Sequence, residues 1–168
     1  MNNLIFNNAL RFIGLVLLQV LVLNHLNLFG YLNPLAYIAW VFLFPISKNK
    51  SVFLIASFLL GLSVDIFSDS GGINAGATLL IAFIRLPVLK AVLRKSDFDY
   101  LLFNIRATSF GKALLFISIL TIIHHFAVFS LEYFSFNSVL TIVSNTFLTS
   151  IFTIITCILG IMLFTKKK

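Results

Sequence analysis

The feature that most constrains this chain is a succession of long apolar runs with nearly all of its cations gathered in short clusters between them. An apolar run of about 20 residues matches the thickness of a bilayer's hydrocarbon core, whereas one of about 10 to 14 matches a buried helix of a soluble protein. Runs over 12–29, 51–67, 73–89, 111–131 and 139–164 reach spanning length. A further run over 31–46, fenced by Pro34 and Pro45, has only about 16 apolar or interfacial residues. By itself it reads either as a short span in a thinned bilayer or as a re-entrant segment. Composition excludes a soluble globular protein, since 60% of the residues are hydrophobic and 10% charged, against roughly 45–50% and 25% in soluble domains. The net charge of +7 would point to nucleic acid only on a polar surface. These cations lie between apolar runs, so no nucleic-acid partner is expected.

Charge position then gives the topology. With six spans and a cytoplasmic N-terminus, the inner side collects Arg11, Lys48, Lys50, Lys90, Arg94, Lys95, Arg106, Lys112, Lys166, Lys167 and Lys168. The remaining cation, Arg85, lies four residues before the inner end of the fourth run and can snorkel inward. The outer connections hold only Asp65, Asp69 and Glu132. The positive-inside rule is thus obeyed by an all-α protein of six transmembrane helices with both termini cytoplasmic. Dropping the second run would move Lys48 and Lys50 to the outer side and invert everything after it. The first run is expected to stay as an uncleaved helix, because Asn24, His25 and Asn27 stand where a small-x-small cleavage site would follow. Residues 96–106 suggest a short interfacial helix on the inner leaflet. Beside it, Lys90, Arg94 and Lys95 would meet anionic headgroups or a cytoplasmic partner. No repeat or linker divides the chain, and residues 1–168 form one domain.

Polar groups at membrane depth are costly, and each needs a packing or functional account. Ser57, Gly61 and Asp65 share one face of the third helix, answered by Gly72 and Gly76 across the turn Ser68-Asp69-Ser70-Gly71. Close helix contact is expected there. Asp65 sits about 21 Å beyond Ser51, near the outer interface, where it caps or orients the loop or takes part in a proton relay. Ser138, Asn145, Thr149, Thr153, Thr156 and Gly160 fall within one arc of the last helix, expected to be buried. Gln19, near mid-membrane, must pair with a neighbouring helix. His124 and His125 diverge by about 100° on a helix and, even with Glu132 nearby, make a poor metal site; no metal and no cofactor is expected. Cys157 reads as a small packing residue. No nucleotide-binding, zinc-protease or nucleophile-elbow motif occurs, and no catalytic residue is assigned. The residues alone lead to a compact helical membrane protein that is either a scaffold or a small-solute binder.

The stretch Gly61-Leu62-Ser63-Val64-Asp65-Ile66-Phe67-Ser68-Asp69-Ser70-Gly71-Gly72-Ile73-Asn74-Ala75 resembles the G-L-x-x-D-x-F-x-x-x-x-G-x-x-A region of the MreD family of rod shape-determining membrane proteins. Gln19, Phe29-Gly30-Tyr31-Leu32-Asn33-Pro34, Pro45, the His124-His125 pair and Glu132 resemble one branch of that family, and the likeness covers the whole chain. The resemblance implies a multi-pass protein of the bacterial cytoplasmic membrane and a fold similar to the substrate-binding subunits of energy-coupling-factor transporters. It implies a non-enzymatic scaffold of the cell-elongation complex, which governs cell shape and peripheral peptidoglycan synthesis. The implied partners are MreC, RodA with its transpeptidase, MreB indirectly, and membrane lipids. On this view Gln19, Pro34, Pro45, Ser57, Gly61, Asp65, Gly72, Gly76, Asn145, Thr149 and Thr153 are structural, and Arg85, Lys90, Arg94 and Lys95 are candidate partner contacts on the inner side. The alternative is a vitamin- or small-solute-binding subunit of such a transporter.

Overall fold

In hydrocarbon, backbone N–H and C=O groups must be satisfied within the protein, which leaves apolar runs of this length little choice but helix. The computed structural model describes residues 2–28, 32–46, 50–94, 105, 108–134 and 138–164. Among these the chain is all-helical, with helices α1 (Asn2–Leu21), α2 (Ala39–Leu43), α3 (Ser51–Ser68), α4 (Ile73–Leu93), α5 (Phe110–Tyr133) and α6 (Val139–Phe164). Five stretches are long and apolar enough to cross a membrane: Phe6–His25, Ser51–Ser68, Ile73–Leu93, Phe110–Tyr133 and Val139–Met162. The expectations for Phe29-Gly30-Tyr31, Lys48, Lys95, the greater part of 96–106, and Lys166 to Lys168 fall outside the described residues.

The run over 31–46 does not form a long helix. Its described part holds a single 3-10 turn, Ala36–Ile38, and the five residues of α2. Tyr37, Ile38, Val41 and Phe42 are buried completely or nearly so. Contacts at its two ends fix its course. Near its start, Gln19 of α1 bonds the Pro34 carbonyl and the Tyr37 N–H, while further on the Trp40 indole N–H donates to the Asn8 carbonyl at 3.0 Å. Gln19 and Asn8 lie 11 positions apart in the sequence, about 16 Å along α1. The segment therefore threads the bundle antiparallel to α1. It runs parallel to α4, because Tyr37 meets Asn74 and the carbonyls of Phe42 and Phe44 meet Arg85. A chain buried on every side is apolar on every side, so its run resembles that of a span without needing a span's helix. Irregular backbone is tolerated at this depth only where protein surrounds it.

The thread is wrapped by α1, α3, α4, α5 and α6. Aromatic rings fill the wall beside it. Phe12 meets Trp40 edge-on with centroids 5.7 Å apart, Trp40 and Phe53 both pack on Phe44, and Phe42 meets Phe116 at 6.2 Å. The helices α3 and α4 cross most tightly at Gly61. A Cβ built there would lie 2.5 Å from the Asn74 carbonyl oxygen and 2.6 Å from the Ala75 Cα. Gly76, expected to share in that crossing, is exposed, with open space where a Cβ would go. Ala75 lies one position earlier and faces α3 in its stead. The first run also ends sooner than its apolar content suggests. After α1 the chain turns through a 3-10 stretch, Leu23–His25, and Asn27 takes φ +41°. The Asn33 side chain accepts from the Asn27 N–H and donates to the Asn27 side-chain oxygen, and Leu28 and Leu32 exchange backbone bonds across the reversal.

Gly61→Ala is expected to lower the thermal unfolding midpoint in detergent by the equivalent of about 1–3 kcal/mol, the cost of overpacking a close crossing. Gly76→Ala should leave it unchanged or raise it, since alanine is the better helix former. Circular dichroism melts of the two purified variants in one detergent would separate these outcomes.

Candidate functional site

A carboxylate in this setting must find donors or lose its charge, and Asp65 finds four. It lies in the last turn of α3 and is 3% exposed. One oxygen accepts from the Asn74 N–H and the Asn74 side-chain amide at 3.0 Å each and from the Ser70 hydroxyl at 2.5 Å. The other accepts from the Ala75 N–H at 2.8 Å. These backbone donors belong to the first turn of α4, whose own cap residue is Gly72, at φ +93°, and which carries no acid in that turn. Asp65 thus supplies from a neighbouring helix the anion that the positive end of α4 favours.

From Asp65 the hydrogen bonds run inward with a fixed direction. The Asn74 amide nitrogen faces Asp65 and Ser70, so its oxygen is left to accept the Tyr37 hydroxyl proton at 2.9 Å. That hydroxyl lies 3.0 Å from His124 Nε2. Having given its proton to Asn74, Tyr37 can only accept from the ring, which assigns the proton of His124 to Nε2 and leaves Nδ1 as a bare, buried acceptor without a partner. Thr78 closes the cluster by donating to the Asn74 carbonyl at 2.6 Å. The adjacent His125 is the opposite tautomer. Its Nδ1 faces the Thr121 carbonyl at 2.9 Å and must donate, and its Nε2 accepts from the Thr153 hydroxyl at 3.0 Å. Thr153 in turn accepts the Leu35 N–H of the thread. The two rings meet edge-on at 5.4 Å and bond to different elements, and no cluster of three or more potential metal ligands occurs among the described residues.

A third branch starts at Gln19, which is fully buried. Its amide donates to Asn24 at 2.8 Å and to the Pro34 carbonyl at 3.0 Å, and Asn24 donates to Ser68 of α3. At the other end of the thread stands Arg85, 4% exposed. It donates to the Phe42 carbonyl at 3.2 Å and to that of Phe44, and its guanidinium lies 5.0 Å from the centre of the Phe53 ring. Arg85, a candidate partner contact in the sequence, donates to the chain's own carbonyls at the C-terminal end of α2, where a cation is favoured, and its Nε has no partner.

The other predicted residues are placed as follows. Ser57 is buried and bonds back to the Phe53 carbonyl, and Pro45 borders a cleft beside Arg85. Asn145 is half-buried and donates to the Tyr133 hydroxyl at 3.0 Å. Thr149 is buried with its hydroxyl unpartnered, as are those of Thr146, Ser150 and Thr121. The buried face of α6 runs through Ile142, Thr146, Ser150, Thr153, Cys157 and Ile161. It is rotated from the expected arc, so that Thr156 and Gly160 flank it, and Thr156 bonds back to the Phe152 carbonyl. Glu132 is exposed and does not join the histidines, Lys90 is half-exposed and Arg94 exposed. Tyr37, Asn74 and Thr78, which tie the branches together, were not singled out in the sequence. Their signal was a polar atom within or beside an apolar run with a partner in another run.

Comparison with protein-family models, with characterised proteins and with solved structures returns no match. Function is therefore argued from this geometry.

Tyr37→Phe leaves the Asn74 oxygen without a partner and the His124 N–H with only the Thr78 hydroxyl at 3.5 Å, and is expected to cost about 1–3 kcal/mol. Thr156→Ala, which removes only a bond within its own helix, should be close to neutral. Thermal melts in detergent check both, and equal melting points would remove the network from any account of stability.

Proposed function

We propose that the chain is a non-enzymatic membrane scaffold of the MreD kind, a six-pass protein of the bacterial cytoplasmic membrane with both termini inside. In this reading it serves the cell-elongation complex by helix contacts within the bilayer. One observation carries it: the interior polar groups are spent largely on one another and on the thread, while the outward faces are continuous and apolar. Phe147, Ile151, Ile155, Leu159 and Met162 form one such stripe on α6, and Phe6, Leu10, Ile13, Leu17 and Leu21 another on α1. A protein built this way offers helix faces rather than a reacting group. The transmembrane helices of MreC, and of RodA with its transpeptidase, are the partners these faces would meet, with MreB engaged indirectly. The course of the thread from Pro34, at the level of Gln19, through Tyr37 beside Asn74 to Phe44 beside Arg85, eleven positions further along α4, supports an even number of crossings.

A second reading, a solute-binding subunit of the energy-coupling-factor type, draws on the unpartnered hydroxyls of Thr146, Thr149 and Ser150. A vitamin or similar solute would need such convergent polar groups. Against it, Tyr37 and its partners fill the interior where a pocket would open.

Affinity purification of the tagged protein from native membranes in mild detergent, followed by mass spectrometry of proteins and small molecules, distinguishes the two. MreC, RodA or the transpeptidase, without a stoichiometric solute, is the expected result. An energy-coupling ATPase module or a bound vitamin would overturn the scaffold reading.

A further inference from the structure

Among the described residues Arg85 is a buried cation without a counter-ion. Its described partners are the carbonyls of Phe42 and Phe44 and the face of Phe53, its Nε has no partner, and no carboxylate among the described residues pairs with it. Carbonyl dipoles and a ring lessen the cost of burying a guanidinium, but they leave its charge uncancelled. Arg85 also borders a cleft of about 160 Å³ between α3 and α4, in which Lys50 contributes a second cation and Phe53, Leu54, Phe83 and Pro87 supply apolar walls. Among the described residues no acidic side chain lines it.

The depth of this cleft follows from the helix register. Gly61 faces Ala75 in the crossing, so ten residues back along α3 and ten forward along antiparallel α4 bring Ser51 level with Arg85. Ser51 is the first residue of α3. The cleft therefore opens where a membrane helix starts, at the boundary between hydrocarbon and headgroups. This is also the cation-bearing end of the bundle, where α4 ends with Lys90 and Arg94 and α5 begins with Lys112. Phe83, 70% exposed, continues the cleft wall outward onto the lipid-facing surface.

We propose that this cleft binds one anionic phospholipid, with its phosphate between Arg85 and Lys50 and an acyl chain laid along Phe53, Leu54 and Phe83. The phosphate supplies the charge that Arg85 lacks, and guanidinium and phosphate match in geometry as well as in sign. An apolar peptide would leave both cations uncompensated. The bound lipid would hold the Phe42 to Pro45 end of the thread against α3 and α4.

Native mass spectrometry of the full chain, titrated in detergent with phosphatidylglycerol or with phosphatidylcholine of the same acyl chains, tests the proposal. One retained phosphatidylglycerol, preferred over phosphatidylcholine by at least about fivefold per cation engaged, is expected. Arg85 also braces the thread, and its replacement would confound binding with folding, so the informative variants are Lys50→Glu and Leu54→Trp. Each should lower phosphatidylglycerol retention about fivefold or more, while Lys112→Glu, a change of the same sign on α5 at the same end, should leave it unaltered. Equal retention of the two lipids would overturn the proposal. So would a Lys112→Glu effect as large as that of Lys50→Glu, which would mean general attraction to a basic surface.

Discussion

The structure depends on satisfying the backbone of a segment that crosses the bundle interior with only five of its residues in an α-helix. A spanning helix satisfies its own N–H and C=O groups, but the thread over 32–46 must borrow partners. Gln19 of α1 takes the Tyr37 N–H and the Pro34 carbonyl, Thr153 of α6 takes the Leu35 N–H, and Arg85 of α4 takes the carbonyls of Phe42 and Phe44. Each lender is a polar side chain on an otherwise apolar helix. Three of the buried polar residues of this chain, Gln19, Thr153 and Arg85, are thereby accounted for as donors and acceptors for a length of backbone that could not supply its own.

Two charges anchor opposite ends of this arrangement by the same physics. Asp65 places a carboxylate against the first turn of α4, and Arg85 places a guanidinium against the last carbonyls of α2 and the residue that follows it. In both cases a helix terminus with unsatisfied groups receives the sign of charge its dipole favours. Since α4 donates in both contacts, it is the ruler that sets how far apart the turn after α3 and the Phe44 end of the thread lie. Gly61 brings α3 close enough for Asp65 to reach.

Helix content and the positions of the spanning runs were legible in the sequence because both are one-dimensional properties: length in residues and mean apolarity. The requirement that Gln19 find a partner was legible for the same reason, since its depth follows from counting. The conformation over 32–46 was not, because a fully buried irregular segment and a short span carry the same apolar run. The close crossing was placed one residue away, on Gly76 rather than Ala75, as spacing alone does not say which of two neighbouring small residues faces inward. On α6 the buried arc was drawn through hydroxyls. Burial there follows Ile142, Cys157 and Ile161 as much as Thr149 and Thr153, and that apolar half of the face carries no polar mark to read. Arg85 was assigned to the inner side by charge, and in the structure its side chain turns into the protein, onto the carbonyls of Phe42 and Phe44.

The borrowed bonds reach far along the chain: Leu35 and Thr153 lie 118 positions apart, the Cys157 thiol and the Ala36 carbonyl 121, and Tyr37 and His124 87. Synthesis reaches the thread early and its lenders late. When the first 50 residues have been made, Gln19 and the Asn8 carbonyl are the partners already available from α1, while α4, α5 and α6 do not yet exist. The thread therefore acquires its partners in chronological order: α4 brings Asn74 and Arg85, α5 brings His124, and α6 closes the last donor with Thr153. The arrival of α6 thus completes the hydrogen bonding of a segment made more than a hundred residues before.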